Sequence, residues 1–142
     1  MDVLKQTTHQ LIKFSEVDSL RVVWHGHYVR YFEDGREAFG REYNLGYLDI
    51  YAHELAVPLI DLQINFKRIL EYGDTAIIDT TFIDSPAAKL IFEYKVTSLK
   101  HGYVACTGRS TQVFMNPVTK ELHITMPAFF EKWKHKWNLK KS

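Results

Sequence analysis

Apolar positions change period twice along the chain. From Thr7 to Phe14 β-forming residues predict a first strand, followed by a loop that carries Asp18. Tyr28, Phe32, Gly35, Phe39 and Tyr43 then recur at spacings of three and four, one face of a helix from about Gly26 to Tyr43. Arg30, Asp34, Glu37 and Arg41 take its opposite face. Gly35 weakens the helix from within the apolar stripe, and the compensation expected is close approach to a sheet. Asn44-Leu-Gly46 ends the helix, and a short helical piece from Tyr47 to Glu54 leads to a turn at Pro58.

Beyond Pro58 the period becomes two. Leu62, Ile64 and Phe66 alternate with Asp61, Gln63, Asn65 and Lys67, a half-buried strand. Glu71-Tyr-Gly-Asp74 is turn chemistry, Thr75 to Ile83 is a second strand, and Asp84-Ser-Pro86 breaks it. Lys89 to Leu99 alternates again; Lys100-His-Gly102 makes a hairpin, and Tyr103 to Met115 completes the set before Asn116-Pro117. One long helix followed by four successive strands predicts an α+β meander, with the small residues Gly108 and Ser110 where a helix lies on the sheet. A second amphipathic helix is expected over about 127–137, with Phe130, Trp133 and Trp137 on one face and Lys132, Lys134, Lys136, Lys140 and Lys141 on a solvated one.

At 142 residues, with 46% apolar and 14% aromatic positions, the chain is expected to be a single domain over 1–142 with a substantial core. Its net charge of +1 offers no broad basic footprint for nucleic acid. Neither a signal-type leader at Met1-Asp-Val-Leu-Lys-Gln nor a run approaching the roughly 20 apolar residues of a membrane span is present, so a cytoplasmic protein is expected. The lone Cys106 sits in an apolar strand, where a buried inert thiol is expected.

Chemistry concentrates between Phe14 and Glu33. Asp18 stands on a loop seven residues before His25-Gly-His27, which opens the long helix. The start of a helix presents unpaired N–H groups and positive dipole, suited to an oxygen that gains negative charge. His25 and His27, two apart, point in different directions with no carboxylate at ligand spacing, so no metal is expected. Read alone, Asp18 is also a plausible turn residue.

These residues together resemble a known family. The strand, Asp18, His25, the Tyr28-Val-Arg-Tyr-Phe-Glu33 helix and the Arg68-Ile-Leu-Glu-Tyr-Gly-Asp74 turn are similar to the hotdog-fold acyl-CoA thioesterases, of the 4-hydroxybenzoyl-CoA thioesterase and YbgC type. The resemblance covers about Thr7 to Met115 and is most specific from Asp18 to Glu33. It implies a long central helix wrapped by a curved antiparallel sheet, a homodimer or homotetramer joined through sheet edges, and sites at the subunit interface. It implies that Asp18 attacks a thioester carbonyl or activates water, and that the backbone N–H of His25 polarises that carbonyl. Coenzyme A is then part of the substrate, and no separate cofactor is required. Glu33 is expected to place the active-site loop.

The chain departs from the family pattern at Arg21, where Gly is usual three residues after the aspartate. Arg21 either moves the loop or narrows the acyl pocket; it could also bind a carboxylate or phosphate of the substrate. Trp24 and Tyr31 flank the helix start and are candidates for lining an acyl channel, His25 and His27 for polar contacts, and Lys67, Arg68, Lys89 and Arg109 for the nucleotide. The alternative to a thioester hydrolase is a non-catalytic module binding acyl-CoA or acyl-carrier protein. A dehydratase of the same fold is weaker, since neither of its characteristic His-containing segments occurs.

Overall fold

In the computed structural model, which describes residues 3–137, one long helix lies across a five-stranded antiparallel sheet. The elements are β1 (Lys5–Leu11), α1 (Tyr28–Tyr43), α2 (Tyr47–Tyr51), β2 (Leu59–Phe66), β3 (Thr75–Ile83), β4 (Lys89–Ser98), β5 (Val104–Val113) and α3 (Ala128–Lys136). A single 3-10 turn, His25–His27, leads into α1. Among the described residues no helix is long and apolar enough to cross a membrane.

The apolar stripe of α1 faces the sheet as its spacing requires. Tyr28, Phe32, Gly35 and Phe39 are buried, and α1 packs over β1, β3 and β4. Phe32 stacks on Tyr94 with ring centroids 4.3 Å apart, and Phe39 packs edge-on against Phe92 at 5.1 Å. Gly35 is the close approach: a Cβ there would overlap the side chains of Thr80 and Ile78 on β3. That contact offsets the roughly 0.5–1 kcal/mol that a mid-helix glycine loses relative to alanine. Asn44, with φ of 61°, closes the helix in the left-handed conformation that asparagine tolerates.

The sheet corrects the expected meander. Its order is β1-β3-β4-β5-β2, so only β3, β4 and β5 follow one another in space, and β2 pairs with β5 at one edge. Segment 67–74 joins two strands that are not neighbours instead of forming a hairpin, with the Lys67 and Arg68 amides donating to the Ala105 carbonyl at 2.8 and 3.0 Å. Period-two alternation reports which face of a strand is buried but not which strand lies beside it.

The aromatic face of α3 closes the core at the far end of α1, with Phe130 and Trp133 buried against Phe82. Lys134 departs from the solvated face expected of it: it is buried, with Nζ 2.5 Å from the Asp84 carboxylate and donating to the Ser85 carbonyl at 2.9 Å. Lys140 and Lys141 lie outside the described residues. Cys106 is buried, and desolvation pushes its thiol up to about 12, leaving it protonated at neutral pH.

Candidate active site

Asp18 sits at the tip of a small hairpin built from backbone bonds. Val17 and Val23 form an antiparallel bridge, the Asp18 amide donates to the Val22 carbonyl at 2.9 Å, and the Arg21 amide donates to the Asp18 carbonyl at 2.9 Å. The Asp18 side chain accepts the Leu20 amide through Oδ1 at 2.8 Å; among the described residues Oδ2 accepts no hydrogen bond. Such an Asx turn is what Asp favours in loops, and here it fixes the carboxylate while leaving one oxygen open. The carboxylate is therefore turned to its own loop and makes no direct bond to the His25 amide.

Arg21 answers the departure from glycine. Its φ is 68°, the left-handed conformation that glycine adopts without penalty. The loop keeps a glycine-type path with an arginine in it. The Arg21 carbonyl accepts the Tyr72 amide at 3.2 Å, and Val22 bridges Glu71, so the hairpin is tied to the turn ahead of β3. That turn is anchored in its turn by Asp74, which accepts from Ser98 Oγ at 2.5 Å and from the Lys100 amide at 2.9 Å. Burial opposes the charge on Asp74, but these donors prevail and hold its carboxyl below the usual aspartate range.

The hairpin runs directly into the start of α1. Among the described residues the His25 and Gly26 amides find no backbone acceptor outside the 3-10 turn that they open, so both stand free at the positive end of the helix. The Trp24 ring packs beside Gly26, so closely that a Cβ there would overlap it. Trp24 is 51% exposed, with ring centroids 4.7 Å from His25 and 5.6 Å from His27. Trp24, His25 and His27 thus stand together at the start of α1, and Asp18 and Arg21 on the hairpin that precedes it, all five on exposed or partly exposed positions. His25 and His27 belong to no group of three potential metal ligands among the described residues.

Two expectations find no support within this chain. Tyr31 is only 1% exposed, inside the core, and donates its hydroxyl to Glu16 Oε1 at 3.0 Å, so it lines no channel in this chain. Glu33 is exposed, and among the described residues no ion pair ties it to the Asp18 loop within this chain. Such a tie is made by Glu16, which is 4% exposed. Glu16 Oε1 accepts both the Tyr31 hydroxyl and the Lys13 amide, at 2.9 Å for the latter, while its own carbonyl accepts the Trp24 amide at 3.0 Å. One residue joins the Asp18 hairpin to α1 on one side and to the helix start on the other. Burial, followed by the Glu16 charge, pushes the Tyr31 phenol far above its usual range and keeps it a donor.

Phe66, at the end of β2, was also missed. It is exposed and lies 5.3 Å from Tyr28 and 6.5 Å from His25 between ring centroids, which brings the end of β2 to the start of α1. Its place in an alternating strand gave no hint of that contact. Of the basic residues considered for a nucleotide, Arg68 lies over the Tyr103 ring at 4.2 Å and Arg109 pairs with Glu93 at 3.3 Å. Lys67 and Lys89 remain exposed.

Comparison with known proteins agrees with this architecture. A profile of the thioesterase-like superfamily matches residues 12–133. The chain is 28% identical over 85 residues to the "putative acyl-CoA thioesterase YneP" of Bacillus subtilis, covering 60% of this chain and 62% of that protein. It is 24% identical over 106 residues to a "putative esterase" of Synechocystis, covering 75% of this chain and 64% of that one. The matches thus span just under two thirds of the length of both relatives. Among solved structures, the DHNA-CoA thioesterase of Staphylococcus aureus superposes with a TM-score of 0.80 over 94% of this chain and 86% of that chain, at 20% identity, a likeness of fold. With a match across most of its length and the same helix-on-sheet architecture, the chain belongs to the thioesterase-like superfamily.

Proposed function

We propose that the protein hydrolyses acyl-CoA thioesters at the start of α1. The observation that carries this reading is the pair of free amides at His25 and Gly26, on the segment that follows directly from a hairpin whose Asp18 carboxylate keeps one unengaged oxygen. The names given to its relatives point the same way.

In this reading the thioester carbonyl lies over the His25 amide, in the space between it and the Asp18 loop. Asp18 either takes a proton from a water that attacks the carbonyl carbon or attacks it directly, forming an anhydride that water then opens. The tetrahedral oxygen gains negative charge against the His25 N–H, where loss of one such donor costs about 2.7–4 kcal/mol in comparable sites. The C–S bond then breaks, and the thiolate of coenzyme A leaves and takes up a proton. Trp24 and His27 shape the approach to the carbonyl, and Arg21 lies on the loop where it can meet an anionic group. Coenzyme A enters as part of the substrate, with no separate cofactor. Arg21 keeping the glycine-type path favours this hydrolase over a non-catalytic binding module.

The working unit of this reading is a pair of chains. β2 is an edge strand with Leu59, Ile60 and Phe66 exposed, and pairing two such edges satisfies backbone groups that otherwise face water. Antiparallel pairing sets the start of one β2 against the end of the other, and so against the other copy's His25.

Thiol release from a panel of aliphatic and aromatic acyl-CoAs tests the proposal. Turnover by the wild-type protein is expected, and Asp18→Asn should lower kcat by about 10²–10⁴-fold, the range for loss of a general base. Substrate affinity should change little. Absence of turnover across the whole panel defeats the reading.

A further inference from the structure

Opposite the helix start, the C-terminal half of α1 borders a cavity of about 370 Å³ between α2, the segment before β2, and strands β4 and β5. Leu45, Ile50, Val57, Leu90 and Phe92 make much of its wall apolar. Four charged residues also line it: Arg36, Glu37, Arg41 and Asp49. Glu37 and Arg41 lie 3.9 Å apart as an exposed pair, and Asp49 accepts the Gly46 amide at 2.8 Å at the start of α2. Arg36 is left without a counter-charge: among the described residues no carboxylate lies within salt-bridge distance of its guanidinium.

The guanidinium is only partly satisfied. Nη1 donates to the Tyr94 hydroxyl at 2.9 Å, and that hydroxyl is within 2.5 Å of Ser110 Oγ. Burial raises the Tyr94 phenol, so it remains neutral and supplies no charge. Arg36 Nε is shielded from solvent and has no partner. A cation at an apolar wall with an unused donor is costly for the protein by itself, and a carboxylate, which can take two parallel N–H bonds from one guanidinium, removes that cost.

We propose that Arg36 is a specificity residue that selects thioesters whose acyl chain ends in a carboxylate, with that carboxylate seated in this cavity. The inference rests on the hydrolase reading above for its thioester. Arg36 is eleven residues from His25, about 16 Å along the helix at 1.5 Å per residue, which is far for a short chain within one copy. Edge pairing through β2 shortens the path, because Val57 in the cavity wall stands just before Leu59, and Leu59 begins the strand whose far end carries Phe66 and the His25 contact. The cavity of one copy then faces the helix start of the other. Tyr94, on which Arg36 rests, is a positioning residue here.

Two thioesters of equal length, adipyl-CoA and hexanoyl-CoA, separate the outcomes. The wild-type protein should favour adipyl-CoA in kcat/KM by at least tenfold, and Arg36→Met should reduce that ratio by more than tenfold. Arg36→Lys, which keeps the charge but not the fork, should fall between them. Calorimetry with free adipate adds a readout independent of turnover: the wild-type protein should bind it, and Arg36→Met should not. Equal kcat/KM for the two thioesters with no adipate binding overturns this proposal while leaving the hydrolase standing. Adipate binding that depends on Arg36, without cleavage of either thioester, retains the anion site and removes the hydrolase. Should Arg36→Met fail to fold, the wild-type ratio and wild-type adipate binding decide the matter alone.

Discussion

Trp133 and Trp24 both lie close to α1 or its start, yet they are used in opposite ways. Trp133 is 5% exposed, lies within 6.4 Å of Phe39, Phe82 and Phe130 between ring centroids, and donates Nε1 to the Tyr43 carbonyl at 2.6 Å. Trp24 is ten times as exposed and touches the two histidines of the helix start. At the α3 end of the molecule the aromatic groups are enclosed and their polar atoms paired. At the start of α1 the amides and one Asp18 oxygen are left open, and rigidity comes from backbone bonds and the buried Glu16. Close aromatic packing thus gathers around Trp133, and the open polar groups of the proposed reaction around Trp24.

The largest effect expected from breaking this contrast lies at the packed end. Trp133→Ala removes a buried indole and its hydrogen bond, and should cost about 3–5 kcal/mol of stability, the range for a large aromatic cut to alanine in a core. Denaturant midpoints would show the loss. At a temperature where the variant stays folded, its kcat should match the wild type. A fall in kcat comparable to that of Asp18→Asn would mean that the two ends are not separate.

Glu16→Ala tests the other end and should show the reverse balance. It leaves the buried Tyr31 hydroxyl without its acceptor, at a cost of about 1–3 kcal/mol, and frees the Lys13 amide, which lies on an exposed residue. It also loosens the hairpin that positions Asp18, so kcat should drop at least tenfold in protein that remains folded, with KM moving less. Glu16→Gln keeps an acceptor oxygen and should restore most of the activity. Equal kcat for wild type and Glu16→Ala would reduce Glu16 to a packing residue.

The parts of this structure that could be read from the sequence are those set by local period. The stripe Tyr28, Phe32, Gly35, Phe39 faces the sheet as spaced, and Thr75–Ile83 is a strand over the residues expected, because each element shows one side to the core. The order of strands could not be read, since β2 lies against β5 through pairing between residues such as Ile64 and Gly108 that are far apart in the chain. The same limit applied to the site. Asp18 and His25 stand out by spacing, whereas Glu16 looks like any loop acid until Tyr31 is seen to cover it, and Arg36 looks like a surface residue until its bond to Tyr94, 58 positions away, is known. Family likeness points to Glu33 and says nothing of Glu16, whose burial and bonds to the Tyr31 hydroxyl and the Lys13 amide appear only in three dimensions.

Arg21 sharpens the comparison at the smallest scale. A non-glycine residue at φ of 68° carries a penalty of roughly 1–2 kcal/mol, offset in part because glycine is freer in the unfolded chain. Arg21→Gly should therefore leave stability the same or raise it by up to about 1 kcal/mol, whereas Arg21→Val, branched at Cβ, should lower it. The side chain is exposed and forms no ion pair among the described residues, so nothing within the chain is lost with it. If Arg21 serves only as a substitute for glycine, Arg21→Gly will match the wild type in kcat and KM. If it meets an anionic part of the substrate, KM will rise in Arg21→Gly and the difference will shrink as salt is added, since an exposed charge is screened over about 10 Å at 0.1 M. The stability change and the KM change thus report separately on the backbone and the guanidinium of one residue.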